Sequence, residues 1–83
     1  MYKIIFDKKA LMDLNKLENG LKKRIWNKLQ ECKKNPHRYL KSLEDIKGFK
    51  LRIGNYRVII DIQNENNILV VLKIGHRKNV YGR

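Results

Sequence analysis

The segment from Phe49 to Ile62 constrains the fold more than any other part of the chain. Phe49, Leu51 and Ile53 alternate with Lys50 and Arg52, Gly54-Asn55 interrupts, and Tyr56-Arg-Val-Ile-Ile-Asp-Ile62 resumes. A period of two marks half-buried strands, and a two-residue Gly-Asn break between them marks a hairpin. With Gly54 and Asn55 as the loop, Ile53 lies opposite Tyr56, Arg52 opposite Arg57 and Lys50 opposite Ile59. Opposed residues point to the same face of a sheet. One face is therefore Phe49, Leu51, Ile53, Tyr56, Val58, Ile60 and Ile62, which is apolar and has to be covered. The other is Lys50, Arg52, Arg57, Ile59 and Asp61. In the following run, Ile68-Leu-Val-Val-Leu-Lys-Ile74, the even positions carry no charge and are expected on the covered face. The odd ones, Leu69, Val71 and Lys73, are expected beside the arginines, with Arg77 pointing the same way if the strand stays regular.

The rest of the chain supplies the cover. Tyr2–Phe6 reads as a short strand. Asp7 is a plausible N-cap for a helix to about Glu18, with Ala10, Leu11, Leu14 and Leu17 on one face. Asn19-Gly20 breaks it, Gly20 suiting the position after a helix end. A second helix follows over about Leu21–Lys34, its stripe formed by Leu21, Ile25, Leu29 and Cys32 and widened by Trp26, until Asn35-Pro36 stops it. Residues 37–48 read as a connector anchored by Tyr39, Leu40, Leu43 and Ile46, with His37 structural or solvated. Helices bunched ahead of a strand run argue an α+β fold, with helices on one face of a largely antiparallel sheet. At 83 residues the chain, 1–83, is long enough for one domain with one modest core.

Charge narrows the function. Twenty Lys and Arg against eight Asp and Glu give a formal net charge of +12. A pI of about 10.1 makes nucleic acid the default partner. Residues 21–50 are the most basic third, with ten cations and three anions. An acidic protein would neutralise the chain equally well, and a merely solvated basic surface is the bland alternative. No apolar run approaches the roughly 18 to 20 residues of a membrane span, and the N-terminus lacks the apolar region and cleavage site of a signal peptide. One cysteine, Cys32, excludes an internal disulfide and a cysteine-based zinc site, and its place on the apolar stripe makes it core filler. A reducing, cytoplasmic setting fits these features.

The helix-free face predicts chemistry as well as binding. Arg52 facing Arg57 places like charges directly opposite each other, which destabilises a hairpin. Such a local violation is typical of a functional site. Lys50, Arg52, Arg57, Lys73 and Arg77 together can hold a phosphodiester and stabilise the added negative charge of its pentavalent transition state. Acid–base candidates are few. His76 adjoins Arg77 and is either an orienting group or a strand-end residue. Tyr81 is either a base, its phenol made more acidic by the cations, a surface for stacking on a nucleobase, or a packed aromatic. No metal or other cofactor is called for.

Lys50-Leu-Arg-Ile-Gly-Asn-Tyr-Arg-Val-Ile-Ile60, the apolar strand after it, and Ile74-Gly-His-Arg-Lys-Asn-Val-Tyr81 resemble the RelE/ParE toxin superfamily of toxin–antitoxin modules. The match covers almost the whole chain. It implies a RelE-like fold similar to microbial ribonucleases: an N-terminal strand, a helical hairpin and three antiparallel strands, giving a four-stranded sheet under two helices. RelE-type members enter the ribosomal A site and cut the mRNA codon there, so the resemblance implies a metal-independent, ribosome-dependent endoribonuclease. Residue by residue it carries over Arg57, Arg77, Tyr81 and Lys50 as catalytic and Arg52 as substrate-binding, while the site reading adds Lys73 and His76. The stretch between Arg77 and Tyr81 is shorter here than in the best-known members. The implied partner, beside ribosome and mRNA, is an acidic RelB-like antitoxin that wraps the chain in a heterodimer or heterotetramer. ParE-type inhibition of DNA gyrase uses the same scaffold but generally lacks the full Lys/Arg/Tyr set. A non-catalytic nucleic-acid-binding module rests on charge alone.

Overall fold

The computed structural model describes residues 1–42 and 48–78. The elements in order are β1 (Lys3–Phe6), α1 (Lys8–Asn15), α2 (Asn19–Lys34), α3 (Pro36–Tyr39), β2 (Lys41–Ser42), β3 (Phe49–Ile53), β4 (Tyr56–Gln63) and β5 (Ile68–His76). The strands form one mixed sheet in the order β1-β5-β4-β3-β2. β1 runs parallel to β5, and the remaining neighbours are antiparallel. The α+β class and the strand–helix–helix–strand order hold. The four-stranded sheet becomes five-stranded because Lys41–Ser42 adds an edge to β3, pairing Lys41 with Lys50 and Ser42 with Phe49. Two residues are too few to show a period, so nothing in the sequence marks this strand.

The hairpin forms in the expected register, with Ile53 opposite Tyr56, Arg52 opposite Arg57 and Lys50 opposite Ile59. Gly54 has φ 57° while Asn55 does not take positive φ. Positive φ at the first loop residue alone is the type II′ pattern, whose twist matches the strands and which glycine adopts without steric cost.

The helices depart from the expected bounds. α1 ends at Asn15 rather than near Glu18, closed by bonds from Lys16 N to Asp13 O and from Leu17 N to Leu14 O. α2 begins at Asn19, so Gly20 lies in its first turn and does not terminate α1. Both helices cover the same side of the sheet. Ala10 of α1 and Ile25, Leu29 and Cys32 of α2 share one core with Leu51, Ile53, Val58, Ile60, Leu69, Val71 and Ile74. Trp26 does not join the stripe. It is 49 % exposed and stacks on Phe6 at 6.4 Å, with ring planes 12° apart. His37 is exposed and meets Phe49 edge to face at 6.4 Å. Of the anchors expected in the connector, Tyr39 and Leu40 pack on the core, whereas Leu43 and Ile46 lie outside the described residues.

β5 contains one correction of consequence. Ile62 pairs with Leu69, Asp61 with Val70 and Ile60 with Val71, but Ile59 pairs with Lys73 and Val58 with Ile74. Leu72 is thus an extra residue, a β-bulge that reverses the alternation. Leu69 and Val71 are therefore core residues at 0 % exposure, not part of the cationic face, and Ile68 and Val70 take the opposite side. Only beyond the bulge does the expected assignment hold, with Ile74 inward and Lys73 outward.

Two measurements check this description. Gly54→Ala is expected to cost about 1 kcal/mol in urea denaturation, because a Cβ is disfavoured at positive φ. Burial pushes the Cys32 thiol from its ordinary 9.0 up to about 11, with Lys28 pulling down and Glu31 pushing up to lesser extents. The folded thiol therefore keeps a proton that the unfolded one releases, and stability is expected to fall as pH rises from 9 to 11. Iodoacetamide at pH values below that window is expected to leave native Cys32 unmodified and to label it in urea.

Candidate functional site: a cationic sheet face

The face away from the helices is organised by register. Lys41, Lys50, Ile59 and Lys73 form one row across β2, β3, β4 and β5. Arg52, Arg57 and Gly75 form the next row toward the β3–β4 turn. Neighbours in such rows have Cβ atoms roughly 5 Å apart, so five cations share a patch wide enough for successive phosphates of one strand. Ile59 lies between Lys50 and Lys73 and is only 5 % exposed, although no helix covers it. The methylene stems of the two lysines are long enough to shield it while their ammonium groups stay in water. Gly75, facing Arg57, leaves space above β5 where any other residue would place a side chain.

Among the described residues the ion pairs are Lys9–Asp13 and Lys28–Glu31. No described carboxylate neutralises Lys50, Arg52, Arg57, Lys73 or Arg77. Asp61 points to the same face, on the far side of Ile59 from Arg57. The Arg57 guanidinium is steadied by donating Nη1–H to the carbonyl of Tyr56 at 3.3 Å, which leaves most of its donors for a ligand. Arg77 is held differently. Its backbone N–H donates to Asn55 O at 2.8 Å, extending the β4–β5 ladder by one pair and anchoring Arg77 beside the hairpin turn.

The register brings together Lys50, Arg52, Arg57 and Lys73, and it ties Arg77 to their edge. It does not bring His76 to that face. His76 pairs with Tyr56 and meets its ring edge to face at 5.6 Å on the helix side. His76 Nδ1 accepts the Lys78 backbone N–H at 3.3 Å. Tyr81 lies outside the described residues. Two cations escaped the sequence reading. Lys41 joins through the unmarked strand β2. Arg24 of α2 places its Nη2 3.5 Å from where a Cβ on Gly54 would be, and with Arg52 it lines an open groove of about 370 Å³. Only the hairpin's position under α2 shows this, so no local signal was available. Among the described residues no three His, Cys, Asp or Glu side chains gather as metal ligands.

A family model described as the ParE toxin of type II toxin–antitoxin systems, parDE, matches residues 4–81. The chain belongs to the RelE/ParE superfamily of toxins. The toxin is 31 % identical to Toxin RelE3 of Methanocaldococcus jannaschii over 85 residues, covering 95 % of this chain and 94 % of that protein. It is 28 % identical to the mRNA interferase toxin RelE of Escherichia coli K12 over 80 residues, covering 93 % and 84 % respectively. Its fold superposes on the toxin–antitoxin complex RelBE2 of Mycobacterium tuberculosis with a TM-score of 0.83 at 29 % identity, covering 92 % of this chain and 98 % of the other. The isolated Escherichia coli RelE toxin shares the fold at a TM-score of 0.79 and 22 % identity, over 92 % of this chain and 84 % of that one.

The facing arginines give a test. Arg52→Thr relieves a like-charge pair, so the toxin is expected to gain ~0.5 kcal/mol in stability while eluting from heparin at lower salt. A destabilised variant, or unchanged elution, would contradict this assignment.

Proposed function

We propose that this toxin inhibits translation by cutting mRNA in the ribosomal A site. The observation that carries the reading is the pair of cationic rows on the helix-free face, unmatched by any described carboxylate. A relative named mRNA interferase supports an RNA substrate. In this reading Arg57 and Arg77 hold the scissile phosphate and stabilise the phosphorane, with Lys50 adding charge from the next row and Arg52 and Lys73 holding flanking phosphates. The 2′-hydroxyl loses its proton and attacks phosphorus. The bond to the 5′-oxygen breaks as that oxygen is protonated, leaving a 2′,3′-cyclic phosphate. Tyr81 is proposed as the group that removes the 2′-proton or stacks on the codon. The stabilising charge is supplied by arginines and the reaction uses no metal.

Among the described residues the cationic face holds no His/Glu pair, so in this reading free RNA is a poor substrate. A ribosome that fixes the 2′-oxygen in line with phosphorus supplies the missing rate, since positioning alone contributes several kcal/mol. The proposed resting state is a complex with an acidic, RelB-like antitoxin; similar toxins from Mycobacterium tuberculosis and Escherichia coli form RelBE toxin–antitoxin complexes. At +12 such a partner gains both fast association and relief of self-repulsion. The antitoxin would act by neutralising the charge and by adding bulk that bars entry to the A site.

The experiment is primer extension on mRNA from a purified translation system. Cuts within the A-site codon are expected, with little cleavage of the same RNA free in solution. Arg57→Ala and Arg77→Ala are each expected to lower the cleavage rate about 10²- to 10³-fold, the loss of one phosphate-directed contact, with unchanged circular dichroism. Equal cleavage with and without ribosomes would overturn the reading. Gyrase inhibition in a supercoiling assay without mRNA cleavage would assign the toxin to the other activity of the scaffold.

A further inference from the structure

β1 is too short for the strand it pairs with. Its ladder ends where Asp7 N–H donates to Val71 O at 2.9 Å, and the chain then turns into α1. β5 continues to His76. Over that extension one side of β5 stays paired to β4, through Ile59–Lys73 and Arg57–Gly75. The two-residue hairpin makes Ile53–Tyr56 a hydrogen-bonded pair, so by alternation the backbone groups of Arg57 and Ile59 face β5. Lys73 and Gly75 answer them. The N–H of Ile74 therefore points the other way, toward a strand that is no longer there.

Asp13 fills the gap. Its Oδ2 accepts the Ile74 N–H at 3.1 Å, across 61 positions of sequence. The same carboxylate pairs with Lys9 one turn earlier on α1, and its side chain is only 10 % exposed. We infer that Asp13 is a positioning residue: it stands in for the missing strand and fixes the register of Lys73–Arg77, the part of β5 that serves the cationic face.

The register at this place has a near alternative. If the extra residue at Leu72 slipped back into the ladder, Leu72 would face Ile59 and Lys73 would face Val58. A one-residue slip moves every side chain to the opposite face. Lysine would then point into the apolar core and leucine onto the phosphate site, and Arg77 would lose its place opposite Asn55. Burying an unpaired ammonium opposes the slip, and a bond made by Ile74 itself adds to that by holding Ile74 opposite Val58. Asp13 makes that bond, and as a charged acceptor it makes a strong one.

The activity arm of the test rests on the proposed function; the exchange arm does not. Amide hydrogen exchange by NMR and ribosome-dependent mRNA cleavage are measured for wild type, Asp13→Ala, Asp13→Asn and Lys9→Ala. In Asp13→Ala, exchange at Ile74, Gly75 and Arg77 is expected to rise about ten-fold or more, as for a lost hydrogen bond, with Leu51 and Ile60 unchanged. Its kcat is expected to fall by a similar factor while KM for ribosomes stays within about two-fold, because Lys41, Lys50, Arg52 and Arg57 keep their places on β2–β4. Asp13→Asn keeps an acceptor oxygen and should restore both, and Lys9→Ala should change either by less than about three-fold. Asp13→Ser, too short to reach Ile74, carries the same reading if the alanine variant does not fold. Unchanged exchange over Ile74–Arg77 in the alanine or serine variant overturns the proposal. So does wild-type cleavage despite faster exchange, or failure of asparagine to restore either readout. A wild-type protein that cuts no ribosome-bound mRNA refutes the proposed function instead, and the exchange result still decides the role of Asp13.

Discussion

A sheet covered on one side must keep its apolar residues in step across every strand, and here one extra residue keeps them so. β4 alternates regularly, with Val58, Ile60 and Ile62 inward. β5 reads Leu69, Val71 and Ile74 inward, with the step of three absorbed by Leu72. A regular β5 would also keep Lys73 in water but would bury Ile68, Val70 and Leu72; the bulge buries Leu69 and Val71 in their place. Bulges also bend and twist a strand locally. The one in β5 falls just past the end of β1, between the half of the strand that sits inside the sheet and the half that serves the cationic face.

That division of labour runs through the molecule. The β1 side of the sheet is structural: Ile4 and Phe6 join the core, and α1 returns over β5. The β3–β4–β5 side carries the cations. Lys50, Arg52, Arg57 and Lys73 occupy adjacent register positions, where like charges repel at short range. Folding tolerates this because none of these charges is buried, so little desolvation is added to the repulsion. In the proposed function a bound polyanion turns the same repulsion into attraction and compensates the destabilising arrangement.

Charge and packing are thereby kept apart. The core contains no buried polar or charged residue among those described, and its members are aliphatic apart from Cys32. The surface cations can therefore change with little effect on the core, because the register that aligns them is held by apolar packing on the other face and by the Ile74–Asp13 bond at its edge.

The hairpin, its register and the pairing of Arg52 with Arg57 were legible because they are local: a two-residue loop fixes which residues face each other. The α+β class followed from the order of periods, and the positions of Lys50, Arg57 and Lys73 from parity. The start of α2 at Asn19 was misread because glycine stops a helix or sits in its first turn equally well. Leu69 and Val71 were assigned to the wrong face because every residue from Ile68 to Leu72 is apolar, so alternation carries no signal there. The bulge that decides their side depends on β4 as a partner. β2, the approach of Arg24 to Gly54 and the bond from Ile74 to Asp13 are likewise contacts between segments far apart in sequence. The chain by itself determined which residues alternate, where it turns and how much positive charge it carries, because those depend on neighbours along the backbone. Tertiary structure alone decided which strands pair beyond the hairpin, where the register shifts and which further cations join Arg52 and Arg57, because those hydrogen-bond partners and shared faces exist only once distant segments are brought together.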